Sequence, residues 1–213
     1  MSSKDTKQQI LDAAESLFIE NGFHTTGVRH ITELAGVNTA AINYHFGSKE
    51  KLLKAVVARR VNPLNRERLD MLDRELASAD QEGRMPDVEA LIRALVQPMV
   101  AHLAKNDAAG RFHLLAARVA TDPDKKLKQI FHTLMETVIV RFSDAFQKSM
   151  PQVNPQAVSV RMVFCIGSVL HAIHYISETH QNDCLLSEGR YRPDLDQMTE
   201  HLIRFLVRGM EGR

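Results

Sequence analysis

The residues of this chain with usable chemistry fall into two groups. The first is the run from Thr25 to Leu53, TTGVRHITELAGVNTAAINYHFGSKEKLL. Thr39, Ala40 and Asn43, all small or hydrogen-bonding, stand there beside Tyr44 and His45. Around them are Arg29, Lys49, Lys51 and Lys54, against Glu33 and Glu50, with His24, His30 and His45 able to titrate. These types bind rather than react. Asparagine pairs with an adenine edge in the major groove, and small side chains let a helix backbone approach the bases. Thr26, Arg29, Tyr44, His45 and Lys49 suit phosphate oxygens, which fix position more than they read sequence.

The second group is dispersed among apolar residues: His102, Arg111, His113, Arg118, His171 and His174. Any of them suits the acidic head of an otherwise apolar molecule. His171 and His174 have the i, i+3 spacing of a metal-binding face, but no carboxylate or cysteine with supporting spacing lies nearby, so no metal is expected. The chain carries no Gly-x-Ser-x-Gly elbow, phosphate-binding glycine loop or metalloprotease helix motif, so neither catalysis nor a cofactor is expected. The rival is an enzyme using His113 and His171 as acid and base; in it, residues 25–49 would be dispensable.

Helices must position both groups. Apolar residues recur at three- and four-residue steps almost throughout, with no period-two alternation, which predicts an all-α fold of about nine helices. Ile10, Ala13, Ala14, Leu17 and Phe18 make the inner face of a first helix stopped by Asn21-Gly22. A second runs from about Thr26, as N-cap, through Val28, Ile31, Leu34 and Ala35 to Gly36, and a third from about Thr39 to Phe46. Two short helices joined by a turn at Gly36 have helix-turn-helix spacing. The second of them would enter the major groove, with Asn38, Thr39, Ala40 and Asn43 at its exposed start.

Ser48 should cap the next helix, with Pro63 kinking it and Leu69, Leu72 and Leu76 continuing its stripe. Gly83 to Pro86 reads as a linker. Later helices are expected from Pro86, bent at Pro98; from Asp107 to Ala120; from Asp122-Pro123 to before Pro151; from Pro155 to about Thr179; and from Pro193-Asp194 to near Gly209. The predicted division is 1–50 as a three-helix DNA-binding domain and 51–213 as a larger helical domain.

Composition agrees with two globular domains: 44% hydrophobic and 25% charged residues, with no low-complexity tract. The net charge of +1 does not mark a nucleic-acid binder, whereas the local cationic patch between His24 and Lys54 is suggestive. The polar start lacks a signal-peptide core, which predicts a cytoplasmic protein with no membrane contact. Cys165 and Cys184 match no zinc or redox spacing and read as reduced thiols.

Residues 8–54 resemble the N-terminal domain of the TetR/AcrR family of transcriptional regulators. The likeness lies in Ile-Leu-x-Ala-Ala-x-x-Leu-Phe at 10–18, Gly22-Phe23, Thr25-Thr26, Ala35-Gly36-Val37 and Tyr-His-Phe-Gly-Ser-Lys-Glu at 44–50. Many members carry tyrosine where this chain has Asn43; the aromatic here is shifted to Tyr44. The resemblance implies a homodimer on double-stranded operator DNA, with the remaining chain binding a small-molecule effector and pairing the subunits. Repression is the common case in that family.

The helices at 155–179 and 194–209 would then form the dimer, through Val169, Ile173, Leu202, Phe205 and Leu206. Apolar residues around much of the last helix, from Leu195 to Met210, point the same way. A mainly apolar effector would lie between the stripes Leu95-Met99-Leu103, Leu134-Val138-Phe142 and Met162-Ile166-Val169, with His102, His113 or Arg118 for an acidic end. The segment from Lys49 to Arg60 would be the mechanical link. A second reading keeps the DNA binding but replaces the small ligand with a protein partner.

Overall fold

Side-chain caps and glycine turns divide residues 3–103, 108–179 and 194–212, those that the computed structural model describes, into nine α-helices without a strand. They are α1 (Ser3–Asn21), α2 (Val28–Ala35), α3 (Ala40–Phe46), α4 (Lys49–Gln81), α5 (Val88–Leu103), α6 (Ala108–Thr121), α7 (Lys125–Ser149), α8 (Pro155–Thr179) and α9 (Leu195–Glu211). The all-α architecture expected from periodicity is the one observed.

Most helices start where a short polar side chain takes an orphan amide. Ser48 Oγ accepts the Lys51 amide at 3.2 Å, Asp87 the Ala90 amide at 2.8 Å, and Asp124 and Asn154 the amides of Lys126 and Gln156. Two expected starts move as a result. Asp87, not Pro86, begins α5, and Asp124, not Asp122-Pro123, begins α7. Pro155 does occupy the first position of α8, where its missing donor costs nothing. Pro63 and Pro98 lie inside the continuous helices α4 and α5, leaving the Arg59 and Ala94 carbonyls without their usual i+4 donors.

Packing separates two units. The first comprises Met1–Asn62 and Asn106–Leu134, and the second Pro63–Lys105 and Met135–Arg213. The break within α4 thus falls immediately before Pro63. In the first unit α1 packs on α2, α3 and α6. Ile10, Ala14 and Phe18 of α1, Ile31, Ile42 and Leu52, Leu53, Val56 and Val57 are buried, as the stripe pattern requires. Glu15 is buried among them, paired with Arg59 and accepting Arg60 Nε at 2.8 Å.

In the second unit α9 packs on α5 and α8. Leu91, Ile92, Leu95, Val96 and Met99 are buried, as are Phe142, Phe146 and Met162. Helix α9 differs from the expectation of an apolar surface around most of its circumference. Thr199, Ile203, Leu206 and Met210 form a single buried stripe, while His201, Arg204, Phe205 and Arg208 line an open outer depression of about 530 Å³. The steps of four, three and four residues select one face, so the other apolar residues of α9 only flank it.

Candidate nucleic-acid interface

Helix α2 ends because Gly36 adopts φ +64°, a left-handed conformation that costs glycine nothing. Its amide donates to Glu33 O at 3.2 Å and the Val37 amide to Thr32 O at 3.0 Å, which closes the carbonyl end of α2. Asn38 then opens α3. Its Oδ1 accepts the Ala40 amide at 2.9 Å and its carbonyl the Ala41 amide at 2.9 Å. At the far end Gly47, φ +81°, donates to Asn43 O at 3.0 Å.

This frame turns Ile42 and Phe46 into the core and leaves Thr39, Ala40, Asn43 and Tyr44 on one exposed face. Tyr44 is 83% exposed, with its ring edge-on to that of the half-buried His45, centroids 5.0 Å apart. The presented groups are a hydroxyl, a methyl, a carboxamide and a phenol: small near the helix start, longer after one turn. That is a surface a major groove admits. Arg29 is exposed on α2.

Three expected details change. Thr26 is 2% exposed, and its hydroxyl faces Gly22 O at 2.7 Å and Leu17 O at 3.1 Å. It ties the turn to α1, Gly27 is the N-cap of α2, and the Thr26 side chain has no reach to a phosphate. Leu34, expected in the core, is 59% exposed. The inward stripe of α2 includes Ile31 and Thr32, and Leu34 falls off it. Lys49 lies with Nζ 4.2 Å from the centroid of Phe23, a cation–π contact, and partial burial lowers its pKa against the pull of Glu50.

Helix α6 contributes further contacts to the first unit. His24 Nε2 lies 3.2 Å from Asp122 Oδ2. Burial disfavours the charged Asp122, but the Asp124 amide and His24 outweigh it, and the carboxyl lies below its ordinary value. Arg118, expected to meet a ligand, instead donates to Ile19 O at 3.0 Å, near the carbonyl end of α1.

Of the other residues expected at a ligand site, Leu95, Met99, Phe142 and Met162 are buried in the second unit, while Ile166 and His102 are half-buried. His102 Nε2 is 3.4 Å from Glu67 Oε1. The side chains of Arg111, His113, Ile173 and His174, and all of Cys184, lie outside the described residues, whereas Cys165 is a buried free thiol. Of the expected dimer residues, Val169 and Leu206 are buried within their own unit, Leu202 is half-buried and Phe205 is 65% exposed. Val160, Val163 and Phe164 of α8 are exposed as well, which sequence periodicity did not single out.

Arg68 was also missed. It is buried, with Nε donating to Leu95 O at 2.9 Å, Nη1 to Asn65 Oδ1 at 3.2 Å and Nη2 directed at Met99 Sδ at 3.6 Å. In the sequence it stands in the charged run Asn65-Arg-Glu-Arg-Leu-Asp70 and draws no notice. The available signal was its place on the four-residue step Leu64-Arg68-Leu72, all of which are buried; the expected Leu69 and Leu76 are only half-buried.

Comparison with known proteins agrees with this geometry. Residues 10–56 match the model of bacterial regulatory proteins of the tetR family, and residues 93–209 match that of the tetracyclin repressor-like C-terminal domain. The HTH-type transcriptional regulator UidR of Escherichia coli (strain K12) is 28% identical over 116 residues, 49% of this chain and 59% of UidR. The matches to UidR and other curated relatives span 26% to 59% of those proteins' lengths.

Among solved structures, FadR of Bacillus subtilis in complex with stearoyl-CoA superposes with a TM-score of 0.68 at 15% identity, covering 95% of this chain and 98% of that one. The SmeT–triclosan complex does so with a TM-score of 0.67 at 20% identity, covering 95% and 90%. No described helix is long and apolar enough to cross a membrane. Family models across both parts of the chain, over a helix-turn-helix with an exposed polar face, place this protein in the tetR family of bacterial regulatory proteins, a family of DNA-binding transcriptional regulators.

Proposed function

We propose that the chain is a homodimeric repressor released from a palindromic operator by a small, mainly apolar effector. The observation carrying the DNA-binding part is the exposed face of α3, Thr39, Ala40, Asn43 and Tyr44, held on the buried pair Ile42 and Phe46. In this reading residues 1–50 hold the DNA and 51–213 sense the ligand and pair the subunits. Asn43 reads a base edge, while Arg29, Tyr44, His45 and Lys49 take phosphates. Lys49 does so by leaving Phe23.

Exposed Val160, Val163 and Phe164 of α8 with Phe205 of α9 support pairing through these two helices, since such side chains are disfavoured in water. Two recognition helices would then read half-sites one helical turn apart, roughly 34 to 36 Å. The ligands held by FadR and SmeT support an effector-responsive second domain. An effector acts by favouring the DNA-incompetent dimer, and a typical coupling of about 1 to 3 kcal/mol lowers operator affinity about 5- to 150-fold.

Selection from random duplex DNA with the full chain tests the reading. A two-fold symmetric site bound by a dimer is expected, and an asymmetric site bound by a monomer would overturn it. Acyl, aromatic and sugar-like compounds are then screened for release of that site. Release by apolar compounds is expected; release by strongly hydrophilic ones alone would refute the apolar effector, and release by none would favour control by a protein partner.

A further inference from the structure

Among the described residues Arg68 is the only lysine or arginine that is buried. Four of the five half-buried arginines among the described residues have carboxylate partners: Arg59 and Arg60 with Glu15, Arg93 with Glu89 and Glu200, Arg141 with Asp73; the fifth, Arg161, donates to the Met210 carbonyl at 2.6 Å. Arg68 has no carboxylate partner among them. Its five N–H groups meet a carbonyl, an amide oxygen and a thioether sulfur, three neutral acceptors of which the last is weak. Burial without a counter-charge lowers its pKa to about 10, so the guanidinium still carries its charge at neutral pH.

A buried charge is costly unless paired, and natural chains seldom keep one unpaired without a use for it. The use is narrowed by the surroundings. Leu64 and Leu72 lie one turn to either side on α4, and the Leu95 carbonyl and Met99 Sδ meet the guanidinium from α5; the side chains of all four residues are buried and apolar. No second buried cation is present among the described residues to share a doubly charged group. A cationic ligand would add to the uncompensated charge.

We propose that Arg68 is the anion anchor of the effector site, and that the effector is an apolar molecule ending in one carboxylate. This rests on the ligand-responsive reading above and narrows it to a chemical class. The carboxylate takes N–H donors at Nη1 and Nη2 in the planar fork that suits two oxygens, and the apolar body lies against Leu95 and Met99. The competing account gives Arg68 a structural task alone: holding the Leu95 carbonyl in the turn of α5 that Pro98 disturbs.

The test measures melting temperature and Kd for the full-length chain with octanoate, decanoate and dodecanoate, each beside the alcohol and the primary ammonium of equal length. Wild type is expected to bind at least one carboxylate about tenfold or more tightly than its alcohol, the worth of a charge-assisted hydrogen bond, and to reject the ammonium. Arg68→Met should lose that preference, keep its affinity for the alcohol and, unliganded, melt no lower than wild type. Arg68→Lys should keep the preference.

The proposal is overturned if wild type binds carboxylate and alcohol equally, if it binds no carboxylate of the series, or if Arg68→Met retains the preference. A lower melting temperature for unliganded Arg68→Met, with no carboxylate preference in wild type, would establish the structural account. Operator release followed in parallel separates the two readings. Release by alcohols without carboxylate preference removes the anchor and keeps the ligand-responsive repressor, whereas operator binding indifferent to every compound removes both.

Discussion

Helix α4 treats its arginines in opposite ways on the two sides of Pro63. In the first unit Arg59 and Arg60 converge on Glu15, an acid so deep in α1 that it is 4% exposed, and Arg59 also meets Asp12, so two carboxylates balance the two cations within the protein. In the second unit Arg68 is 5% exposed and, among the described residues, meets three neutral acceptors and no carboxylate. A closed ion pair fastens α1 to α4 under the DNA-binding helices. An open one leaves a binding demand that the fold does not meet. The difference teaches that the first unit, which carries the helix-turn-helix, neutralises its half-buried arginines internally, while the second unit keeps a cation inside.

The largest expected effect breaks the closed pair. Glu15→Ala would remove the buried carboxylate that Arg59 and Arg60 share and cost about 2 to 3 kcal/mol in denaturant unfolding; a fully buried pair costs about 3 to 5, but both arginines here reach solvent and Arg59 keeps Asp12. A loss under about 0.5 kcal/mol would erase the contrast with Arg68. Next, Asn43→Ala should weaken the preferred operator by about 1 to 3 kcal/mol and relax preference at one position of each half-site. A uniform loss on all DNA would deny Asn43 its base contact.

Thr26→Val separates interior from surface within the motif. It removes the hydroxyl that meets Leu17 and Gly22 and should cost about 1 kcal/mol of stability, with operator affinity per folded molecule unchanged. Lys49→Ala should do the reverse, barely altering stability and lowering the salt slope of DNA binding by about one unit. If Thr26→Val changed the slope instead, a phosphate role for Thr26 would be restored.

The smallest effect concerns a surface network of the second unit. Arg84 beside Glu75 holds the Glu75 carboxyl below its ordinary value of 4.5. A carboxyl lowered on folding stabilises above its unfolded value, and that contribution fades as the pH falls through the folded one. Glu75→Gln should therefore flatten the acid dependence of melting below about pH 4.5. An unchanged acid profile would show that this pair, unlike that of Glu15, contributes nothing.

Sequence alone determined the helical class and the element order. Steps of three and four residues repeat wherever a helix must bury one side, and Gly36, Ser48 and Pro155 act on their neighbours, whatever the rest of the chain does. The family was legible too, since the helix-turn-helix is nearly all local: Asn38 caps, Gly36 turns, and the exposed and buried sets of α3 follow from its own period.

Tertiary structure decided whatever depends on a partner distant in sequence. Thr26 looks like a cap until the Leu17 carbonyl is brought to its hydroxyl. Arg118 looks like a ligand anchor until α6 packs on α1 and the Ile19 carbonyl accepts its hydrogen bond. The apolar surplus of α9 becomes one buried stripe with a basic outer face once α5 and α8 cover the other side. Arg68 shows the rule most plainly. Its burial and its lack of a carboxylate come from α5 crossing beside it, and a sequence records which charges a chain owns, not which of them the fold leaves unpaired.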